Sequence, residues 1–186
     1  LEAIRKVCTK YDMPLFIDGA RLGYALTATG NDVTLEDIAR IADVFYIGGT
    51  KVGAMFGEAV VFTHGNMPKN FVTLVKQHDA LLAKGWLLGV QFDTLFTDDL
   101  YCRIARHAND AADRIREVLV ERGYTLTFDA PTNQIFITLD NATSERLQRN
   151  VRLGFMEKAD DTHTVMRICT SWATTDEQVE QLIALL

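Results

Sequence analysis

Long apolar runs are missing from this sequence of 186 residues. No stretch approaches the roughly 20 residues that a membrane-spanning helix needs, and no signal-peptide pattern opens the chain. Positive charge is scarce as well. Nineteen lysines and arginines stand against 25 acidic residues, a net charge of −6. That argues against nucleic acid or an anionic membrane as partner, because both demand clustered cations. Cysteine is sparse: Cys8, Cys102 and Cys169 are few, odd in number and far apart. A disulfide framework is therefore a poor reading, and a reducing cytoplasm the better one. His64, His78, His107 and His163 are scattered, and no Cys/His spacing matches a zinc site. Repeats and low-complexity segments are also lacking. An initiating methionine is absent too. The chain opens Leu1-Glu2-Ala3-Ile4 within a helical pattern, which reads as a fragment whose earlier part is absent.

What is present is the balance of a globular protein, 48% hydrophobic and 24% charged, enough to bury a real core. Residues 1–12 carry apolar Leu1, Ile4, Val7 and Cys8 at helical spacing. Met13 to Ile17, closed by Asp18-Gly19, predicts a buried strand, and residues 20–29 a short helix ending at Gly30-Asn31. Thr34 with Asp37 three residues on predicts a capping-box start for a helix over 35–42. Strands are expected over 43–47 and 58–63, the first running into Gly48-Gly49-Thr50-Lys51. Short connections and strands buried on both faces point to an α/β layer. Segments 66–80 and 81–96 read as helical. A long helix is expected from Asp98 to Arg122, with apolar residues at 100, 104, 108, 111, 115, 118 and 119 and Gly123 as its stop. Beyond it, strands over 124–128, 134–139 and 164–169, with helices over 143–152 and 175–186, make a small α+β unit. The domain boundary is placed between residues 97 and 98.

Three residues stand out chemically. Asp18 lies at the carboxyl end of a strand, where α/β sheets place ligand-binding groups. It is either a turn aspartate or the partner of a protonated pyridine nitrogen. Lys51 follows 33 residues later in a glycine-rich turn. It is either a solvated loop lysine or an amine partly desolvated, with lowered pKa, for Schiff-base chemistry. Gly48, Gly49 and Gly53 would let the backbone approach a bulky group closely. Arg167 interrupts an apolar strand, Val165 to Cys169. It is either one half of an internal ion pair or a fork for a substrate carboxylate.

Taken in order, these elements resemble a known family. Phe16-Ile17-Asp18-Gly19-Ala20-Arg21-Leu22, Asp32 to Ala39, and Gly49-Thr50-Lys51-Val52-Gly53-Ala54 are similar to the centre of low-specificity threonine aldolases and the wider group of aromatic amino-acid β-eliminating lyases. Pro131-Thr132-Asn133 resembles that family's Thr-Asn strand start, and Met166 to Trp172 its arginine strand. The resemblance implies the later part of an aspartate-aminotransferase-like (fold type I) domain over 1–97, a mainly parallel sheet with helices whose earlier part is absent. A long connecting helix and a small α+β domain over 98–186 would follow. It also implies covalently held pyridoxal 5′-phosphate. By that resemblance Lys51 matches the Schiff-base lysine, Asp18 the ring-nitrogen partner, Arg21 a residue near the substrate carboxylate and ring hydroxyl, and Arg167 the main carboxylate-binding arginine.

The sequence departs from the aldolase pattern in two places. Trp86-Leu87-Leu88-Gly89-Val90-Gln91 stands where aldolases carry a Gly-Gly-Gly-Met-Arg-Gln stretch, leaving Lys76 or Lys84 as candidates for the phosphate charge. Ser171 stands where many have histidine. No stretch resembles the family's phosphate loop. The expected activity is Cα–Cβ cleavage of a β-hydroxy-α-amino acid such as L-threonine. The alternatives are β-elimination on an aromatic or cysteine-type amino acid, or a catalytically silent relative. A cytoplasmic homodimer or homotetramer with shared active sites is expected.

Overall fold

Thr34 and Asp37 close a reciprocal cap. The Thr34 Oγ1 accepts from the Asp37 N–H at 3.2 Å, and the Asp37 carboxylate accepts from the Thr34 N–H at 3.1 Å. Two of the orphan donors at the start of the helix over Leu35–Ile41 are thereby satisfied, as the sequence predicts. A computed structural model describes all residues, 1–186. They divide into two units, 1–26 with 32–101, and 27–31 with 102–186.

The first unit contains α1 (Glu2–Lys10), β1 (Phe16–Ile17), α2 (Leu22–Leu26), α3 (Leu35–Ile41), β2 (Val44–Gly48), β3 (Glu58–Phe62), α4 (Phe71–Gln77) and α5 (Trp86–Phe96). Its sheet runs β1-β2-β3. β1 and β2 are parallel because the crossover between them holds two helices, whereas β3 runs antiparallel to β2. The nine residues between β2 and β3 form a hairpin connection, too short for a parallel return. β1 is shorter than expected. Pro14 has no N–H to give, and the Leu15 N–H is taken by the Asp43 carboxylate at 2.7 Å rather than by a strand ladder. Asp43 also holds Arg5 at 2.6 Å, and these two bonds keep its carboxyl below the usual range. The expectation that the strands are buried on both faces is met only partly: Phe45 and Ile47 are buried, but Val60 and Phe16 are exposed.

The second unit is a four-stranded antiparallel sheet, β4 (Thr125–Leu126), β5 (Gln134–Asp140), β6 (Gly154–Lys158) and β7 (His163–Cys169), ordered β4-β5-β7-β6. Its helices are α6 (Leu100–Glu121), whose first two residues belong to the first unit, α7 (Asn141–Gln148) and α8 (Asp176–Leu185). Asp98 and Asp99 have φ of 50° and 57°. That left-handed pair kinks the chain after α5 and moves the helix start from the expected Asp98 to Leu100. β5 alternates, burying Ile135, Ile137 and Leu139 against Ile115 and Leu119 of α6, Leu147 of α7 and Val179 of α8. β6 was not predicted. It is an edge strand with exposed Phe155 and Met156 and a bulge between Phe155 and Glu157, so it carries no clean alternation.

Candidate active site

Parallel pairing of Phe16 with Val44 and Ile17 with Phe45 brings the next pair, Asp18 and Tyr46, side by side. The Tyr46 hydroxyl donates to Asp18 Oδ1. The Ala20 N–H donates to the same oxygen at 3.0 Å. The Asp18 carboxyl is held below its ordinary value, first by the Tyr46 hydrogen bond, then by the Ala20 N–H, with the Lys51 and Arg21 charges adding to the effect. Tyr46 responds in the opposite sense and is pushed up to about 12, chiefly by its bond to Asp18.

Two glycines let these strand ends meet. A Cβ on Gly19 would lie 1.7 Å from the Tyr46 carbonyl oxygen, and one on Gly48 would lie 2.4 Å from that of Ala20. The Gly48 N–H donates to the Gly19 carbonyl at 2.9 Å. The expectation that the glycines of the lysine turn make room for a bulky ligand is corrected here. At Gly48 the close neighbours are the backbone of Gly19 and Ala20, and at Gly49 they are the Gly57 carbonyl, 2.5 Å from a Cβ there, and the Phe92 and Ala54 side chains.

The lysine turn is tied at every point. Glu58 at the start of β3 accepts from the Gly49 N–H at 2.6 Å and from the Thr50 hydroxyl at 3.3 Å. Buried Tyr101 donates to the Gly48 carbonyl at 2.9 Å, and buried Tyr24 donates to the Lys51 carbonyl. Val52 is fully buried, and Gly53 takes φ 96°, the left-handed turn that glycine permits. The backbone of Lys51 is thus clamped while its side chain is exposed. The expected desolvation of the amine is not supplied by these residues. The Lys51 and Arg21 charges both act on the Asp18 carboxylate.

Arg167 belongs to the second unit, in the middle of β7, paired with Phe136 of β5 and Gly154 of β6. Its Nη1 donates to the Gln134 side-chain oxygen at 3.2 Å, and its Nε is buried without a partner. No carboxylate stands within ion-pair distance of it, so the internal ion pair that the sequence left open is not formed. The guanidinium borders a cavity of about 210 Å³, shared with Arg152, Cys169 and Thr174.

The other motif residues have structural work. The Asn133 side-chain amide donates to the Thr170 carbonyl at 2.7 Å, and the Thr170 N–H returns a bond to the Asn133 carbonyl at 3.0 Å, pinning β5 to the end of β7. Gln91 clasps the loop after the lysine, accepting from the Met55 N–H at 2.7 Å and donating to the Phe56 carbonyl at 3.2 Å. Ser171 makes a turn with Thr174. Lys76 and Lys84 are exposed on α4 and before α5. Sequence reasoning missed Tyr46, Glu58 and Gln134. For Tyr46 a signal existed: parallel register sets the residue after Phe45 beside the residue after Ile17.

Comparison with known proteins bears on this arrangement. The family profile of beta-eliminating lyases matches residues 1–142. The low specificity L-threonine aldolase of Pseudomonas aeruginosa is 29% identical over 183 residues, covering 98% of this chain and 52% of that protein. A second one, from a Pseudomonas species, is 29% identical over 185 residues, 99% of this chain and 53% of its own. Among solved structures, Leishmania major threonine aldolase superposes with a TM-score of 0.94 at 40% identity, covering 98% of this chain and 53% of that one. Sphingomonas wittichii serine palmitoyltransferase superposes at 0.66 and 18% identity, over 97% and 48%, a likeness of fold alone. The chain spans about half the length of the curated relatives it matches.

Proposed function

Because this chain belongs to the beta-eliminating lyase family and has the aspartate-aminotransferase-like α/β fold, we propose that the protein is a pyridoxal-phosphate-dependent lyase. It cleaves the Cα–Cβ bond of a β-hydroxy-α-amino acid such as L-threonine, giving glycine and an aldehyde. One observation carries the reading: an exposed carboxylate held toward its ionised form by its hydrogen bonds and by two cations, one of them an exposed lysine on a clamped turn. These groups fit the ring-nitrogen and amine side of the cofactor, and the buried, unpartnered Nε of Arg167 fits a carboxylate.

Lys51 would hold pyridoxal phosphate through its amine, and Asp18, held in its ionised form, would favour a protonated ring nitrogen. When bound, pyridoxal phosphate supplies the electron sink that takes up the charge left at Cα. Arg167 offers donors of the kind that would grip a substrate carboxylate and so fix the bond that breaks. Residues 1–97 form the later part of the cofactor domain and 98–186 the connecting helix and small domain, in a cytoplasmic homodimer or homotetramer.

Incubation of the native polypeptide with L-threonine is expected to release acetaldehyde. No product above a Lys51→Ala control defeats the reading. A second reading is β-elimination, favoured by the absence of arginine from the 86–91 stretch and by Ser171, both departures from aldolases. Ammonia and a keto acid from tyrosine, tryptophan or cysteine would then appear in place of acetaldehyde.

A further inference from the structure

Asp18 is bonded asymmetrically. Both of its donors, the Tyr46 hydroxyl and the Ala20 N–H at 3.0 Å, meet Oδ1, and Oδ2 meets none. A carboxylate has lone pairs on both oxygens, so saturating one leaves the other as the face for a ligand cation. We propose that Tyr46 is a positioning residue for the cofactor: it occupies Oδ1 and leaves Oδ2 as the single oxygen free for a protonated ring nitrogen. The proposal rests on the reading of Asp18 given above and adds a residue to it.

Tyr46 is built to hold this post. It is in the centre of the sheet, its backbone paired with Val60 of β3, and its ring lies 6.0 Å from that of Phe16. The missing side chain of Gly19 brings the strand end carrying Asp18 against the Tyr46 carbonyl. The phenol is pushed up to about 12 by Asp18, with the Glu58 charge adding to the effect. It therefore remains a donor throughout the physiological range and never competes with Asp18 as a base. Donating to the ionised form is what lowers the proton affinity of a carboxylate. Lys51 and Arg21 act in the same direction, but by charge alone. Only Tyr46 and the Ala20 N–H choose between the two oxygens.

The test uses the native full-length holoenzyme loaded with pyridoxal phosphate labelled with ¹⁵N in the ring. Tyr46→Phe keeps the ring against Phe16 and removes only the hydroxyl, so a packing role survives and the proposed role does not. The wild-type resonance is expected at the position of a protonated pyridine. In Tyr46→Phe it moves toward the unprotonated position, and kcat for amino-acid cleavage falls on the order of tenfold, the scale of one hydrogen bond to a charged group, with KM little changed. In an Asp18→Asn background the same substitution produces no additional shift. An unchanged resonance in Tyr46→Phe, or an effect that persists with Asp18→Asn, overturns the role of Tyr46 while leaving the cofactor reading intact. Absence of any bound-cofactor resonance in the wild type overturns both.

Discussion

The lysine turn and the arginine strand solve opposite problems. Around Lys51 the backbone is fastened by Glu58, Tyr24 and Tyr101, the glycines are packed against neighbouring carbonyls, and the side chain is left to solvent. Around Arg167 the backbone is ordinary mid-strand ladder, and it is the side chain that is constrained, with one bond to Gln134 and a buried donor unmet. The first region fixes the backbone of Lys51 and leaves its amine to solvent. The second keeps a buried, unpartnered donor on a part-buried arginine, which stability alone does not favour. Stability and chemistry are therefore expected to separate cleanly in one region and to oppose each other in the other.

The largest effect comes from breaking the first arrangement. Gly19→Ala places a methyl group on the Tyr46 carbonyl and is expected to cost about 3 kcal/mol or more, read as a lowered urea midpoint together with loss of cofactor. Glu58→Ala leaves the Gly49 N–H unanswered at the part-buried turn. An expected loss of about 1–2 kcal/mol, with weakened cofactor retention, marks the turn as the point affected. Arg167→Leu sharpens the contrast from the other side. With no ion pair to lose and an orphan donor removed, the variant is expected to match or exceed the wild-type stability by about 1 kcal/mol, while carboxylate binding collapses. A marked destabilisation there refutes the idea that this arginine is retained for its ligand. Lys51→Ala changes stability by no more than about 0.5 kcal/mol, as expected of an exposed side chain, yet removes the visible absorbance of the holoenzyme.

The smallest effect concerns pH. The Asp43 carboxyl is lowered by the Arg5 bond first and the Leu15 N–H second. Its stabilisation is therefore complete above the ordinary carboxylate range and lost as pH falls through the depressed native value, below about pH 4. Asp43→Asn is expected to flatten the acid side of the stability profile without altering it near pH 7. An acid limb that keeps its slope in this variant assigns the loss to other carboxylates.

Local signals were legible in the sequence wherever a single short segment decides the outcome. The capping box at Thr34, the stop at Gly123 with φ 80° and the alternation of β5 are each written within a few residues. Asp18 and Lys51 were legible as candidates because each follows a strand closely and lies within two residues of a glycine. What escaped were partnerships across the chain. Tyr46 lies 28 positions from Asp18, and Glu58 lies nine from the amide it holds. Nothing in a run of residues announces which neighbour will face which; that follows only once register is set. The bulged edge strand β6 escaped because an exposed edge imposes no period on its side chains. The antiparallel turn of β3 was readable from its nine-residue connection but was overshadowed by the parallel pattern before it.

The unanswered Nε of Arg167 has one more consequence. A buried donor without an acceptor makes the folded state responsive to whatever can complete it, because occupancy and folding are thermodynamically linked. Small carboxylates as plain as acetate or glycine should raise the melting temperature in proportion to how well they meet that nitrogen. The melting curve thus becomes an assay for the preferred carboxylate that requires no turnover at all.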